Sequence, residues 1–220
     1  MTRKKWIMAV GMVGTILAGG LLLESWKGKS MRMTAVEKSF VNSSGHAAKV
    51  AGHAESLLQK VNVQPGWRYL DVGCGISSAA RGIAMRRPLD VVGVDIDPEQ
   101  IATARAAGEL PNLRFHVMDA TRLEFGDAEF DVVATSKTTH HIPDYELALM
   151  EMARVLRPGG YLVYTDMSVP GWAAAIGKRL LPIVGFPSEH ALDSFAVKRG
   201  LRPVFRSRNL IQLDQIWVKQ

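Results

Sequence analysis

The sequence has 220 residues and a single cysteine, Cys74. One cysteine excludes an intramolecular disulfide framework and any cysteine-rich zinc cluster. Aromatic residues are also few, at 7% of the chain, while hydrophobic residues make up 47% and charged residues 22%. These proportions are typical of a globular protein with one sizeable core and exclude wholesale disorder. We expect Cys74 to be a small buried side chain and not a nucleophile.

The formal net charge of +6 is concentrated at one end of the chain. Residues 1–40 contain seven Lys or Arg and two Glu, so the remainder is close to neutral. A surface that binds nucleic acid needs clustered Lys and Arg on the folded domain. The sequence therefore argues against a nucleic-acid partner.

Residues 6–23 lack charged side chains altogether. A helix of this length spans about 27 Å, which matches the hydrocarbon core of a bilayer. A cleaved signal peptide is the alternative, but no clear small-x-small cleavage site follows. We therefore predict three parts: a membrane anchor with basic flanks over 1–26, a tether over 27–41 and one domain over 42–220.

Within the anchor, Gly11, Thr15 and Gly19 recur at intervals of four residues. This spacing places small residues on one side of a helix, where a second copy can pack closely. It favours a homodimer through the anchor helix, although isolated glycines are also common in short apolar runs.

After Pro65 and Gly66 the sequence alternates short apolar runs with helical repeats. Such alternation predicts an α/β fold with a mostly parallel sheet covered by helices on both faces. An earlier helix is expected to begin at Asn42–Ser44, and others near 77–87, 98–107 and 145–156. The predicted strands are Arg68–Val72, Val91–Ile96, Arg114–Met118, Phe130–Thr135, Tyr161–Thr165, Pro203–Arg208 and Ile211–Val218. The last two are separated by a short link, which indicates a closing antiparallel pair.

Two glycines, Gly73 and Gly75, follow the first predicted strand directly. Glycines in this place let the chain turn sharply and let a ligand approach the backbone. A nicotinamide site needs Gly or Ala at position 78, where this chain has Ser78, and the Gly-Lys-Ser/Thr of a P-loop is missing.

Three aspartates lie at the carboxyl ends of successive predicted strands: Asp71, Asp95 and Asp119. Any one of them could simply cap a helix or begin a turn. In an open α/β sheet, however, these strand ends border the crevice in which ligands bind. Asp95 is placed to accept the two hydroxyls of a ribose, and Asp119 to accept from an exocyclic amine such as that of adenine.

Five motifs in order resemble the class I S-adenosylmethionine-dependent methyltransferases, closest to the branch that includes the ubiquinone and menaquinone biosynthesis methyltransferases. They are YLDVGCG, VVGVDID, FHVMDATRLEF, FDVVATSKTTHHIPD and LALMEMARVLRPGGYLVYTD, which together fall within residues 64–167. The resemblance implies a Rossmann-like seven-stranded sheet whose last strand is antiparallel. It also implies S-adenosylmethionine as the cofactor, and hence a domain on the cytoplasmic side of the membrane.

The resemblance further implies eight cofactor-binding residues. They are Asp71, Gly73 and Gly75 around the methionine portion, Asp95 at the ribose, Ile96 on the adenine, Asp119 with Ala120 at the adenine amine, and Ser136 near the reactive sulfur. The chain departs from the family at Ser77, where many members have a third glycine.

His140 and His141 follow the fourth predicted strand and are the candidate catalytic residues. A histidine exchanges protons near neutral pH and could act as a general base, although it could also only cap a helix or orient the loop. Adjacent side chains point in different directions, so we expect that only one of them acts. Neither this pair nor His46 with His53 has the spacing of a metal site, and we expect the latter two to face solvent.

Residues 172–186 are strongly apolar and contain Lys178 and Arg179. They are interpreted as a lid, as an in-plane membrane segment or as a plain core helix. With the anchor, they favour a hydrophobic, membrane-resident acceptor such as a quinone, isoprenoid or lipid. The alternatives are a noncatalytic cofactor-binding membrane protein, a protein-directed methyltransferase and a nicotinamide-dependent oxidoreductase.

Overall fold

The structure is a computed structural model that describes residues 44–167, 187–209 and 212–220. The chain divides between residues 31 and 32, and every described residue belongs to the second part. The predicted anchor and tether and the apolar run 172–186 therefore lie outside the described residues. No helix within the described ranges has the length and apolar character needed to cross a membrane.

The described residues form α-helices, β-strands and one short 3-10 helix. The helices are α1 (Ser44–Leu58), α2 (Ser78–Arg86), α3 (Pro98–Ala106), α4 (Tyr145–Val155) and α5 (Glu189–Lys198), with the 3-10 helix at Thr139–His141. The strands are β1 (Arg68–Val72), β2 (Asp90–Asp95), β3 (Leu113–Val117), β4 (Phe130–Ser136), β5 (Leu156–Met167), β6 (Leu201–Arg208) and β7 (Gln212–Lys219).

These strands form one sheet in the order β3-β2-β1-β4-β5-β7-β6. Strands β1 to β5 pair in parallel, while β7 pairs antiparallel with both β5 and β6. The predicted Rossmann-like sheet of seven strands with an antiparallel last strand is confirmed. Because β1 to β5 are parallel, their carboxyl ends lie along one edge, which we call the carboxyl rim.

Each face of the sheet is covered by helices. Leu70 of β1 faces Leu149 of α4 and Leu192 of α5 in one buried cluster. The neighbouring Tyr69 points to the other face, where its cluster includes Ile83 of α2 and Ile101 of α3, together with the end of α1. Burial of large apolar side chains on both faces explains why the central strands read as continuous apolar runs.

Helix α1 is bound to the domain through its second half, from Ala51 onward. A Cβ at Gly82 of α2 would come within 2.7 Å of the Ala51 Cβ, so glycine allows close packing here. Glu55 also accepts from the Arg87 guanidinium at 2.5–3.3 Å. The expectation that His53 faces solvent is wrong, because its Nε2 lies 3.0 Å from Asp214 Oδ1 of β7 and its side chain is only 35% exposed.

Candidate active site

The three predicted aspartates lie along the carboxyl rim. Asp71 of β1 is in register with Gly93 of β2, and Asp95 is the last residue of β2. The Met118 backbone N–H donates to the Asp95 carbonyl at 2.9 Å, which places Asp119 directly beyond that contact. The fold therefore brings carboxylates that are far apart in sequence to the ends of three adjacent strands.

In the loop between β1 and α2, every second residue from Gly73 to Ser77 has a positive φ, in the left-handed region of backbone conformation. Gly73 has φ +74°, Gly75 has φ +53° and Ser77 has φ +73°. A Cβ at Gly73 would collide with the Thr138 side chain of the loop after β4, so this position needs glycine. At Gly75 a Cβ would meet nothing within 4 Å, which means that space is open beside the loop.

Asp95 fixes both neighbouring loops through its carboxylate. Its Oδ2 accepts from the Gly75 N–H at 2.9 Å, and its Oδ1 accepts from the Asp97 N–H at 2.9 Å. Carboxylate oxygens accept more than one hydrogen bond each. The ribose-binding role predicted for Asp95 is therefore compatible with these contacts.

Asp119 and the apolar residues predicted beside it are more accessible. Asp119 is exposed, and its Oδ1 accepts from the Thr121 N–H and the Thr121 hydroxyl, both at 2.8 Å. Ile96 and Ala120 are half-buried. An exposed carboxylate and half-buried apolar side chains at the same edge of the sheet suit an aromatic base that carries an amino group.

Asp71 is buried at the base of the loop, with 3% of its surface exposed. Burial raises its pKa to about 7, a backbone hydrogen bond from Ala80 opposes this shift, and the charge of Asp95 adds to it. Its Oδ2 has no hydrogen-bond partner in the described part of the chain. An orphaned buried acceptor at the base of the glycine loop fits a cofactor that brings positive charge and hydrogen-bond donors.

Ser136 ends β4 in register with Thr165 of β5. Two residues later, the Thr138 hydroxyl lies 3.1 Å from the Ser136 carbonyl and 3.4 Å from the Gly73 carbonyl. The loop after β4 is thus in contact with the glycine loop. The histidines that follow are held on this same loop.

His140 is paired with a buried carboxylate that the sequence prediction did not assign. Its Nδ1 lies 2.6 Å from Asp166 Oδ1, and Asp166 is only 1% exposed. Asp166 Oδ2 accepts from the Thr139 hydroxyl at 2.5 Å and from the His140 N–H at 3.3 Å. An ionised carboxylate only accepts, so the proton lies on Nδ1 and Nε2 is the basic nitrogen.

Burial alone raises the pKa of Asp166, but its attraction to His140 and the hydrogen bonds from His140 and Thr139 outweigh burial, so the pKa is lowered. The carboxylate therefore remains ionised under His140. The arrangement can hold one imidazole tautomer and stabilise an imidazolium.

The neighbouring His141 has a strongly lowered pKa. Burial first, and then the charge of His140, lower the pKa of His141 to about 3 despite the opposing effect of Asp166. Its ring centroid lies 4.0 Å from that of His140, so the expectation that the two side chains point apart is wrong. Of the two candidates, the geometry favours His140 as the base.

Asp166 had a detectable signal in the sequence. It is the penultimate residue of β5, a position like that of Asp71 in β1 and close to that of Asp95 at the end of β2. Its partner lies 26 residues away, however, and only the fold brings the two together. The partners of His53 could not be found this way, since Asp214 is 161 residues distant on an antiparallel strand.

A cavity of about 570 Å³ opens at the opposite edge of the sheet, where β1, β2 and β3 begin. Its lining includes Arg68, Asp90 and Arg114, and these charges pair with one another or with Glu129. It is thus separated from the carboxyl rim. In the ranges that the structure describes, no three His, Cys, Asp or Glu side chains are grouped to hold a metal ion.

Comparison with known sequences shows that residues 70–164 match the model of the methyltransferase domain family. A fatty-acid O-methyltransferase of Mycolicibacterium smegmatis is 35% identical over 156 residues, which are 69% of this chain and 54% of that protein. The 2-methyl-6-phytyl-1,4-hydroquinone methyltransferase of Synechocystis is 34% identical over 176 residues, 73% of this chain and 52% of that protein. The chain thus spans about half the length of these relatives.

Among solved structures, a phosphoethanolamine N-methyltransferase of Haemonchus contortus shares the fold with a TM-score of 0.59. It is 24% identical, and the match covers 68% of this chain and 37% of that one. That protein was solved with phosphomonomethylethanolamine and S-adenosylhomocysteine.

Proposed function

We propose that this chain, which carries a class I S-adenosylmethionine-dependent methyltransferase domain, transfers a methyl group to a hydrophobic small molecule. The predicted family and its cofactor, S-adenosylmethionine, are supported by the methyltransferase-domain match over residues 70–164 and by the methyltransferases named above. The observation that carries the proposal of catalysis is the His140–Asp166 pair on a loop that touches the glycine loop.

The residues of the carboxyl rim are suited to hold this cofactor. Asp95 would receive the ribose hydroxyls and Asp119 the adenine amine, with Ile96 and Ala120 against the ring. Gly73 and Gly75 would let the methionine portion approach the backbone, and the orphaned Asp71 oxygen offers an acceptor nearby. When bound, S-adenosylmethionine supplies an electrophilic methyl group on a sulfonium.

His140 would remove the proton from the acceptor. Its Nε2 accepts that proton while its Nδ1–H stays bonded to Asp166, so the positive charge forms beside an ionised carboxylate. The low exposure of this pair keeps water away from it. Such a base is needed only when the acceptor atom begins protonated, as in a hydroxyl or an activated carbon.

The class of acceptor is proposed from two lines of support. The relatives named above act, by their names, on a fatty acid and on a phytyl hydroquinone, which are both lipophilic. Residues 6–23 and 172–186 add long apolar runs to the chain. We propose a membrane-resident quinone, isoprenoid or lipid acceptor, with the chain attached to the membrane through residues 6–23 and its domain on the cytoplasmic side.

The test is mass spectrometry of membrane lipid extracts incubated with the full-length chain and isotopically labelled S-adenosylmethionine. We expect one lipophilic product that carries the labelled methyl group, and its loss with the Asp95→Ala variant. Cofactor binding without any labelled product would favour the noncatalytic alternative. Label on proteins in the same extract would favour a protein-directed methyltransferase.

Deleting residues 1–26 tests membrane delivery separately. We expect the deletion to lower methyl transfer to an acceptor embedded in vesicles by about tenfold or more, because tethering raises the local concentration of enzyme. With the same acceptor dispersed in detergent, the two proteins should agree within about twofold. Equal rates on vesicles would show that the anchor has no part in acceptor delivery.

A further inference from the structure

Ser77 has an unusual backbone conformation for a residue with a side chain. It occupies the N-cap position of α2 with φ 73° and ψ 28°, in the left-handed region. A Cβ is disfavoured there, and glycine adopts this conformation without strain. Strained residues of this kind concentrate where a protein clamps a ligand.

The Ser77 hydroxyl is also unaccounted for. The residue is 0% exposed, and within the described residues its Oγ has no hydrogen-bond partner. Its backbone is fully used, since its N–H donates to the Cys74 carbonyl at 2.8 Å and its carbonyl accepts from the Arg81 N–H at 2.9 Å. Within the described residues, the hydroxyl is therefore the one polar group of Ser77 without a hydrogen-bond partner. Burying an unpaired hydroxyl is unfavourable.

Helix capping does not explain this hydroxyl. An N-cap serine normally accepts from the backbone N–H two or three residues later. Ser77 makes no such bond, and the Ala80 N–H, three residues later, is bound by Asp71 instead. The buried carboxylate accepts from the N–H that an N-cap serine would normally bind, and the Ser77 hydroxyl donates to no atom of residues 44–167, 187–209 and 212–220.

The surroundings of Ser77 indicate what kind of group it could bind. It begins α2, whose first-turn N–H groups and dipole favour negative charge. It follows Gly75, beside which the structure is open. A hydroxyl without a partner can change rotamer once an acceptor arrives.

We propose that Ser77 is a cofactor-binding residue whose hydroxyl donates to the carboxylate of the methionine portion of S-adenosylmethionine. This inference rests on the proposed function only in assuming that the cofactor binds at the rim. It concerns the position at which the chain departs from the glycine of its family. The serine would thus make the ligand-free loop less stable than a glycine would, and it would add a hydrogen bond to the amino-acid end of the bound cofactor.

Calorimetric titration of the full-length chain with two ligands tests this contact. S-adenosylmethionine carries the carboxylate, whereas 5′-methylthioadenosine has the same nucleoside but no amino-acid portion. We expect Ser77→Ala to weaken S-adenosylmethionine about tenfold or more, as for a hydrogen bond to a charged group, and to change 5′-methylthioadenosine less than about twofold. Ser77→Gly should behave alike and melt at a higher temperature without ligand, because it removes both the strain and the unpaired hydroxyl.

The neighbouring Ser78→Ala variant is the matched control and should leave both affinities within about twofold of the wild type. Unchanged binding of S-adenosylmethionine by both Ser77 variants would overturn the inference. An equal loss of both ligands would overturn it too, because that would indicate damage to the loop. If the wild type bound neither ligand, both this inference and the proposed function would fail.

Discussion

Asp166→Asn is expected to lower kcat by about 10²–10⁴-fold while leaving the affinity for S-adenosylmethionine within about threefold. An asparagine amide facing the His140 Nδ1 favours the tautomer in which Nδ1 accepts and Nε2 carries the proton. That imidazole cannot receive a proton from the acceptor at Nε2. Single-turnover methyl transfer with saturating cofactor measures the effect directly.

The chain offers a matched control for this variant. Asp214 also pairs with a histidine, at 3.0 Å from His53, and accepts from the Thr165 hydroxyl at 3.0 Å. Because Thr165 and Asp166 are consecutive in β5, the two pairs lie on opposite faces of the sheet. We expect Asp214→Asn to lower kcat by less than about threefold.

His140→Ala should reproduce the loss seen with Asp166→Asn, and the double variant should add little to it, because the two residues act as one unit. A kcat unchanged by either single variant would remove His140 from the chemistry. The domain would then act by orientation of the acceptor alone.

Asp71→Asn is expected to stabilise the ligand-free chain at pH 8 and to weaken cofactor binding. The pKa of Asp71 is raised to about 7, chiefly by burial, against about 3.9 for an unburied aspartate. A raised pKa means that this group's contribution to stability is complete below pH 4 and is lost as pH rises through 7. The buried ionised form therefore destabilises the fold by roughly 4 kcal/mol at pH 8.

Asparagine removes that charge but leaves an amide N–H without a partner, at a cost of about 1–3 kcal/mol. The net gain of about 1–3 kcal/mol corresponds to a rise in Tm of roughly 2–10 °C at pH 8. At pH 5 the gain should be small or absent, since the wild-type carboxyl is then mostly protonated. Thermal melts of both proteins at pH 5 and pH 8 measure the difference.

Cofactor affinity should change in the opposite direction. The positive groups of S-adenosylmethionine favour ionised Asp71, so wild-type affinity should rise by up to about tenfold per pH unit below pH 7 and level off above it. Asp71→Asn should bind more weakly at pH 8 and show a flatter pH dependence. The difference in Tm between Asp71→Asn and the wild type should be larger at pH 8 than at pH 5. An equal difference at the two pH values would contradict the assignment of a buried carboxyl that titrates.

The sheet could be predicted from the sequence because apolar runs and the turn residues beside them are local features of the chain. The strand β1 was predicted over Arg68–Val72, which are its observed bounds, since a fully buried strand bounded by Pro65-Gly66 and by a glycine loop has clear limits. The strand β5 was predicted over Tyr161–Thr165 but extends over Leu156–Met167. Its Pro-Gly-Gly segment indicates a turn, yet the strand continues across it with a shift in register opposite β4.

The placement of the aspartates at the carboxyl rim was more predictable than the pairing of His140 with Asp166. Parallel strands force the residues that follow them to one edge, so the placement of Asp71, Asp95 and Asp119 follows from topology alone. The contact between His140 and Asp166 depends on a 3-10 turn and on side-chain rotamers, for which sequence patterns give no signal. The close, tilted approach of the His141 ring to the His140 ring was missed for the same reason.

The most direct test of the central claim is calorimetric titration of S-adenosylmethionine into the purified full-length chain, beside the Asp95→Ala variant and with NADH as the competing ligand. We predict saturable binding of one S-adenosylmethionine per chain, a loss of affinity of about tenfold or more in the variant, and no heat with NADH. Binding that the Asp95→Ala variant leaves intact, or a chain that takes up NADH and not S-adenosylmethionine, would contradict it.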